Sequence, residues 1–211
     1  MPGSLSTEQI QYTPPPPPDG GGDWGDRPGG GARRRASFTA LFVLLAAVTM
    51  LFAAFTSALV VRRGLGGDWE RVPMPGILYW NTLLILASSA WIDIARRALH
   101  RGARGSFNRF WTIGTVLGVA FLVGQGIAWS QLRDAGIYMA VNPGSDFFYV
   151  FTVAHAAHVL GGIAALAYIE VQALRLRLGP GRRTGVEITS YYWHFLGGLW
   201  VYLMILFHFW G

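Results

Sequence analysis

Residues 36–61 read ASFTALFVLLAAVTMLFAAFTSALVV, with Arg35 and Arg62 on either side and no formal charge between them. A bilayer's hydrocarbon core is about 30 Å thick and takes about 20 helical residues to cross. In lipid every backbone amide must be satisfied inside a helix or a closed barrel, so this run predicts a transmembrane helix. Four further stretches repeat the pattern: about Pro75 to Leu99, Phe110 to Gln131, Asp146 to Leu174 and Ile188 to Trp210. The 211 residues are 52% hydrophobic and only 13% charged, so five spans use up the chain. The expected fold class is all-α: a polytopic membrane bundle of five transmembrane helices, residues 36–211, behind a disordered N-terminal tail, residues 1–35.

The tail is a different material. Pro14 to Pro18 stand in a row, Gly20 to Gly31 is glycine-rich, and aliphatic side chains are almost absent. Such a segment cannot bury enough surface to offset its ordering entropy. Five prolines could also dock a partner as a polyproline helix. The apolar run after Arg33, Arg34 and Arg35 is too long for a signal-peptide core and lacks a small-x-small cleavage site, so an uncleaved first span is expected.

All 17 basic residues are arginine, and their distribution sets an orientation. The tail, the second loop and the fourth loop together carry 13, and the first and third loops carry 4. The positive-inside rule then places the N-terminus in the cytoplasm and the C-terminus outside. The net charge of +6 is explained by topology, without any nucleic-acid partner, because no basic patch interleaved with aromatics sits on a soluble domain. The absence of cysteine excludes disulfides, thiolate metal sites, iron–sulfur clusters and covalent haem attachment.

Polar residues inside a membrane are costly, so each needs a role. His155 and His158 lie three apart, on one face of the fourth span. Neutral imidazole is a common metal ligand, and a haem would need a second axial histidine at matching depth on another helix. His194 and His208 are about 21 Å apart along the fifth span, so only His158 with His194 could form such a pair. The other reading is interhelical hydrogen bonding by satisfied histidines. Asn81 and Ser88 share one face of the second span, and Thr82 and Ser89 repeat that spacing beside them. Small polar stripes serve close helix packing, or line a transport path when a deep charge accompanies them. Here the acidic residues fall near span ends. Asp146 reads as the N-cap of the fourth helix. Glu170 reads as a snorkelling ion pair with Arg97 or Arg175. Gly114 and Gly118 form a small-xxx-small pair, and Trp200 is expected to pack against a neighbouring helix while the terminal aromatics, Trp210 among them, form interfacial belts.

Together these segments resemble subunit III of the haem–copper oxidases, the cytochrome c and quinol oxidases. The second span, Leu78-Tyr79-Trp80-Asn81-Thr82 through Ser88-Ser89, resembles the family's helix with an Asn-Thr pair and a Ser-Ser pair. Leu117-Gly118 followed by Gln125 is similar to its third stretch. Phe147-Phe148 and His155-Ala156-Ala157-His158-Val159-Leu160-Gly161-Gly162 resemble its most specific signature. Tyr192-Trp193-His194-Phe195 with Trp200 resembles the terminal one, and Met50 to Ala58 with Arg62-Arg63 fits the first span. The likeness covers about residues 38 to 211.

What the resemblance implies is a non-catalytic core subunit of an aerobic terminal oxidase that reduces oxygen and pumps protons. It implies a five-helix form with no haem, metal or catalytic residue of its own, the haem and copper residing in partner subunits. The direct partner would be subunit I, with subunit II in the same complex and phospholipid held between helices, in a prokaryotic cytoplasmic membrane. Cytochrome c against quinol as donor would be decided on other subunits. Two departures matter: Val48 and Thr49 stand where many members carry a glutamate, and Leu196-Gly197-Gly198 replaces a stretch that often holds an aspartate. Proton handling by those carboxylates does not transfer. The rival classes are a haem-b membrane anchor on His158 and His194, and a small transporter.

Overall fold

The computed structural model describes residues 30–65, 74–139, 142–175 and 183–210. They form five helices: α1 (Gly30–Leu65), α2 (Ile77–His100), α3 (Arg104–Asp134), α4 (Pro143–Leu174) and α5 (Arg183–Trp210). All five are long and apolar enough to cross a membrane. The expected tail lies outside the described residues up to position 29, whereas 30–35 belong to the first turns of α1. In the same way α3 starts at Arg104 and α5 at Arg183, before their apolar stretches begin. Apolarity marks where lipid starts. A helix continues past that level as long as water or arginine side chains serve its end, so α1 runs about 54 Å at 1.5 Å per residue.

Helices α2, α3, α4 and α5 close a ring in which α2 packs on α3, α3 on α4, α4 on α5 and α5 back on α2; α1 lies outside it against α4 and α5. The α2–α3 pair is the tightest, and glycine is the reason. A Cβ on Gly114 would come within 2.6 Å of Ile92 Cδ1, while one on Gly118 would come within 2.6 Å of the Trp193 ring of α5. One on Gly124 would collide with the Asn81 amide. A Cβ on Gly162 of α4 would likewise come within 3.0 Å of Leu196 and Trp193, while one on its neighbour Gly161 would meet nothing within 4 Å. Of the two motif glycines it is therefore Gly162 that admits α5, with Gly161 facing outward.

The surface inverts the usual polarity. Phe42, Met50, Trp80, Leu83, Val116, Val123, Leu160 and Tyr168 are exposed along the outward faces, while Asn81, Ser88, Gln125, Thr152 and His155 are buried. Lipid accepts apolar faces, so the helices turn their few polar side chains on each other.

Helix ends are set by local chemistry. Gly102 (φ 77°) and Gly136 (φ 78°) stop α2 and α3 in the left-handed conformation. Behind them Ala103 N–H reaches Ala98 O and Ile137 N–H reaches Leu132 O, both at 3.0 Å, the six-to-one bond of a Schellman ending. At the start of α4, Asn142 is the N-cap: its side chain accepts from Ser145 N, with Pro143 directly behind it. This corrects the expectation for Asp146, which lies one turn in. Asp146 keeps the position a carboxylate favours near a helix N-terminus, but the capping bond needs the extended φ/ψ that Asn142 adopts (φ −150°, ψ 157°).

Candidate functional site

Four tryptophans clasp the ring. An indole N–H buried in a bilayer needs an acceptor, and each of these finds one on the facing helix. Trp111 of α3 donates to Leu166 O of α4 at 3.0 Å, and Trp129 of α3 to Thr152 Oγ1 of α4 at 3.1 Å. Trp193 of α5 donates to Ser88 Oγ of α2 at 3.0 Å, and Trp200 of α5 to Thr82 Oγ1 of α2, also at 3.0 Å. The hydroxyls pass the bond on. Ser88 donates to Gly114 O at 2.7 Å, joining α5, α2 and α3 through one side chain, and Thr82 donates to Leu78 O at 2.9 Å.

The two stripes of α2 thus divide their work. Asn81 addresses α3 through Gly124, Thr82 and Ser89 address α5 through Trp200 and Gly197, and Ser88 addresses both through Gly114 and Trp193. Phe195 packs at the edge of the hydrophobic core. Trp111, Trp129 and Thr112 are the residues that sequence reasoning missed. No such signal marked the two tryptophans: they stand near the two ends of the expected span 110–131, where an indole reads as part of an interfacial belt.

The histidines separate. His155 is 1% exposed, stacked on the Trp200 ring at 5.2 Å with Phe121 edge-on at 6.1 Å. His158 turns to α1, edge-on to Phe52 at 5.9 Å, and its Nδ1 donates to Ala154 O at 2.7 Å. Positions three apart on a helix differ by about 60° around the axis, and α4 has α1 on one side and α3 and α5 on the other, so a shared face in sequence resolves into two directions. His194 lies within electrostatic reach of Asp93 and Arg96 on α2. His158 and His194 therefore address opposite neighbours of α5 and α4, and Tyr192, not His194, reaches the backbone at His158 (3.3 Å to its carbonyl). Among the described residues no three His, Asp or Glu side chains gather to hold a metal.

Charges gather at one end. Asp93 accepts from Arg96 at 2.6 Å and from Arg97 at 2.7 Å, Arg96 lies over the Tyr191 ring at 5.4 Å, and Glu187 pairs with Arg34 of α1 at 3.3 Å. Arg97 is thereby engaged by Asp93. Glu170 accepts from the Thr112 hydroxyl at 2.6 Å, which corrects the expected ion pair with Arg97 or Arg175. The reason is position: Glu170 points across to α3, while the guanidinium of Arg97 hangs on its own helix one turn from Asp93.

A family model described as cytochrome c oxidase subunit III matches residues 37–211, which takes in the ring and nearly all of α1. The chain belongs to the cytochrome c oxidase subunit III family. It is 30% identical over 162 residues to a protein of Mycobacterium bovis named "Probable cytochrome c oxidase subunit 3", covering 75% of this chain and 78% of that one. A cytochrome c oxidase subunit 3 of Corynebacterium diphtheriae is 28% identical over 176 residues, covering 79% and 84%. That of Gallus gallus is 26% identical over 168 residues, covering 76% of this chain and 62% of its own. The chain is accordingly a subunit III of a terminal oxidase, and its clasped, apolar-faced bundle is a multi-pass membrane protein. In this subunit III Val48 is buried in the core at 3% exposure.

Proposed function

We propose that this chain is the non-catalytic subunit III of an oxidase that reduces oxygen and pumps protons, packing beside the haem–copper subunit I, with subunit II in the same complex. Its contribution is mechanical: it braces the catalytic subunit, holds phospholipid against its outward apolar faces, and prolongs the working life of the oxygen site. One observation carries the reading. Four tryptophan clasps bond Thr82, Ser88, Thr152 and the Leu166 carbonyl across neighbouring helices, the use expected of a scaffold. The divergence of His158 and His194 speaks against a haem-b anchor, whose two axial ligands must face one another. The apolar outward faces suit contact with phospholipid chains. The arginine distribution supports an orientation with the N-terminus inside, and the likeness to bacterial proteins supports a prokaryotic cytoplasmic membrane.

The test is gentle removal of this chain from the purified oxidase. The remaining complex should start at an undiminished rate of oxygen reduction and then fail after fewer turnovers; adding the chain back should restore endurance. An immediate and complete loss of oxygen reduction, reversed on readdition, would instead place an essential catalytic group in this chain. The isolated chain should show no Soret band.

A further inference from the structure

Five buried polar atoms at one level of the ring have no hydrogen-bond partner among the described residues: Asn81 Nδ2, Gln125 Nε2 and Oε1, and His155 Nδ1 and Nε2. All three side chains are 1% exposed, and they come from three different helices. Contacts fix their common level. The clasps from Trp111 to Leu166 and from Trp129 to Thr152 set the α3/α4 register so that Gln125 comes abreast of His155. The Asn81 amide lies against Gly124, next to Gln125 in the chain. Phe121, one turn from Gln125, touches both His155 and Trp200, and Trp200 reaches Thr82, the neighbour of Asn81.

Burial rules out lipid and partner chains as the missing partners, since neither reaches a side chain that is 1% exposed. The chemistry of the five atoms then selects the ligand. Asn81 Nδ2 and Gln125 Nε2 donate, Gln125 Oε1 accepts, and a neutral imidazole offers one donor and one acceptor. A cation would be repelled by the amide N–H groups, an anion by the carbonyl and the ring acceptor, and an apolar molecule would satisfy none. The nearest charged side chain on α2, Asp93, is twelve positions from Asn81, about 18 Å along the axis. What fits is a small neutral molecule that both donates and accepts.

We propose that Asn81, Gln125 and His155 line a closed hydration site inside the α2–α5 ring, with bound water as its ligand. Trp200 and Phe121 cover the imidazole face and edge, which leaves the ring nitrogens to in-plane partners. Water joins α2, α3 and α4 at the level where α5 contributes its Trp200 clasp, so that all four helices of the ring are tied at one depth. A buried water of this kind makes two to four hydrogen bonds to otherwise unsatisfied groups. The site needs no assumption about catalysis or partners.

Hydroxyl-radical footprinting by X-ray pulses in H₂¹⁸O, on the chain in its native membrane assembly, tests this directly, because bound water splits in place and labels adjacent rings. Trp111 is the matched control: it is equally buried, with its N–H on a backbone carbonyl. Trp200 and Phe121 should take up ¹⁸O several-fold above Trp111, and in the folded double variant Gln125→Leu, His155→Phe the Trp200 label should fall to that of Trp111. Wild-type Trp200 labelled no more than Trp111 overturns the proposal without any variant. So does a cryo-EM map that resolves ordered waters elsewhere in the chain yet shows Gln125 bonded directly to His155 and Asn81.

Discussion

Trp200 shows how much one side chain carries: its indole bonds Thr82, its face covers His155, and its edge meets Phe121. Trp200→Phe keeps an aromatic ring but deletes the bond to Thr82, and should lower stability by about 0.6–2 kcal/mol, the range for an interhelical bond in lipid. Thermal unfolding of the detergent-solubilised chain, read by helical circular dichroism, measures it. Glycine gives a sharper contrast. At Gly118 a methyl group would press into the Trp193 ring, so Gly118→Ala should destabilise by about 1–3 kcal/mol through overpacking. At Gly161 a methyl group meets nothing, so Gly161→Ala should be neutral or stabilising by up to about 1 kcal/mol, the helix-propensity gain. Equal losses at both sites would mean that α3 and α5 do not meet at Gly118.

At the scale of elements, helix ends and helix contacts are separable. Gly102 and Gly136 end their helices at positive φ in open surroundings, so Gly136→Ala costs only the left-handed backbone penalty, about 1–2 kcal/mol. Asn142→Ala removes the α4 capping bond and should cost about 1 kcal/mol, with Asn142→Ser or Asn142→Asp recovering most of it. Both effects should appear in unfolding midpoints, and hydrogen exchange should show them confined to the first turns of α4 and the α3–α4 connection. Protection lost across the ring would contradict a local role. The Asp93 cluster works between elements: one carboxylate holds two arginines, and Arg96 in turn covers Tyr191 of α5.

For the molecule as a whole, the division between ring and outlying helix predicts how it comes apart. α1 is the least buried of the five and, among the described residues, packs mainly on α4 and α5, through contacts such as Thr56 with Tyr202 at 2.8 Å and Phe52 with Phe151. Limited proteolysis or exchange measurements should therefore find α1 yielding first while α2–α5 stay together; the reverse order would contradict the ring. The 13-to-4 arginine split predicts the N-terminus inside and the C-terminus outside. Reporter fusions placed after Arg35 and after Gly211 should report opposite sides of the membrane, and the same side would remove one of the five crossings.

The sequence by itself determined the five spans, the class of fold and the family, because lipid leaves the backbone so few choices and because the paired motifs keep their order and spacing. It also made the α2 stripe legible, since Asn81, Thr82, Ser88 and Ser89 repeat at two helical turns. Helix ends were less legible: apolarity marks the lipid boundary, not where hydrogen bonding stops, so α1, α3 and α5 begin earlier and Asn142 takes the cap from Asp146. Only the tertiary structure decided who meets whom. Spacing along α4 put His155 and His158 on one face, but the placement of α1 on one side and of α3 and α5 on the other sent them apart. In the same way Glu170 could be given a charged partner on paper, and the α3/α4 register handed it to Thr112. Partner choice across helices depends on rotation and depth, which a single chain's periodicity does not encode, and the ring's polar centre at Asn81, Gln125 and His155 exists only once four helices have closed around it.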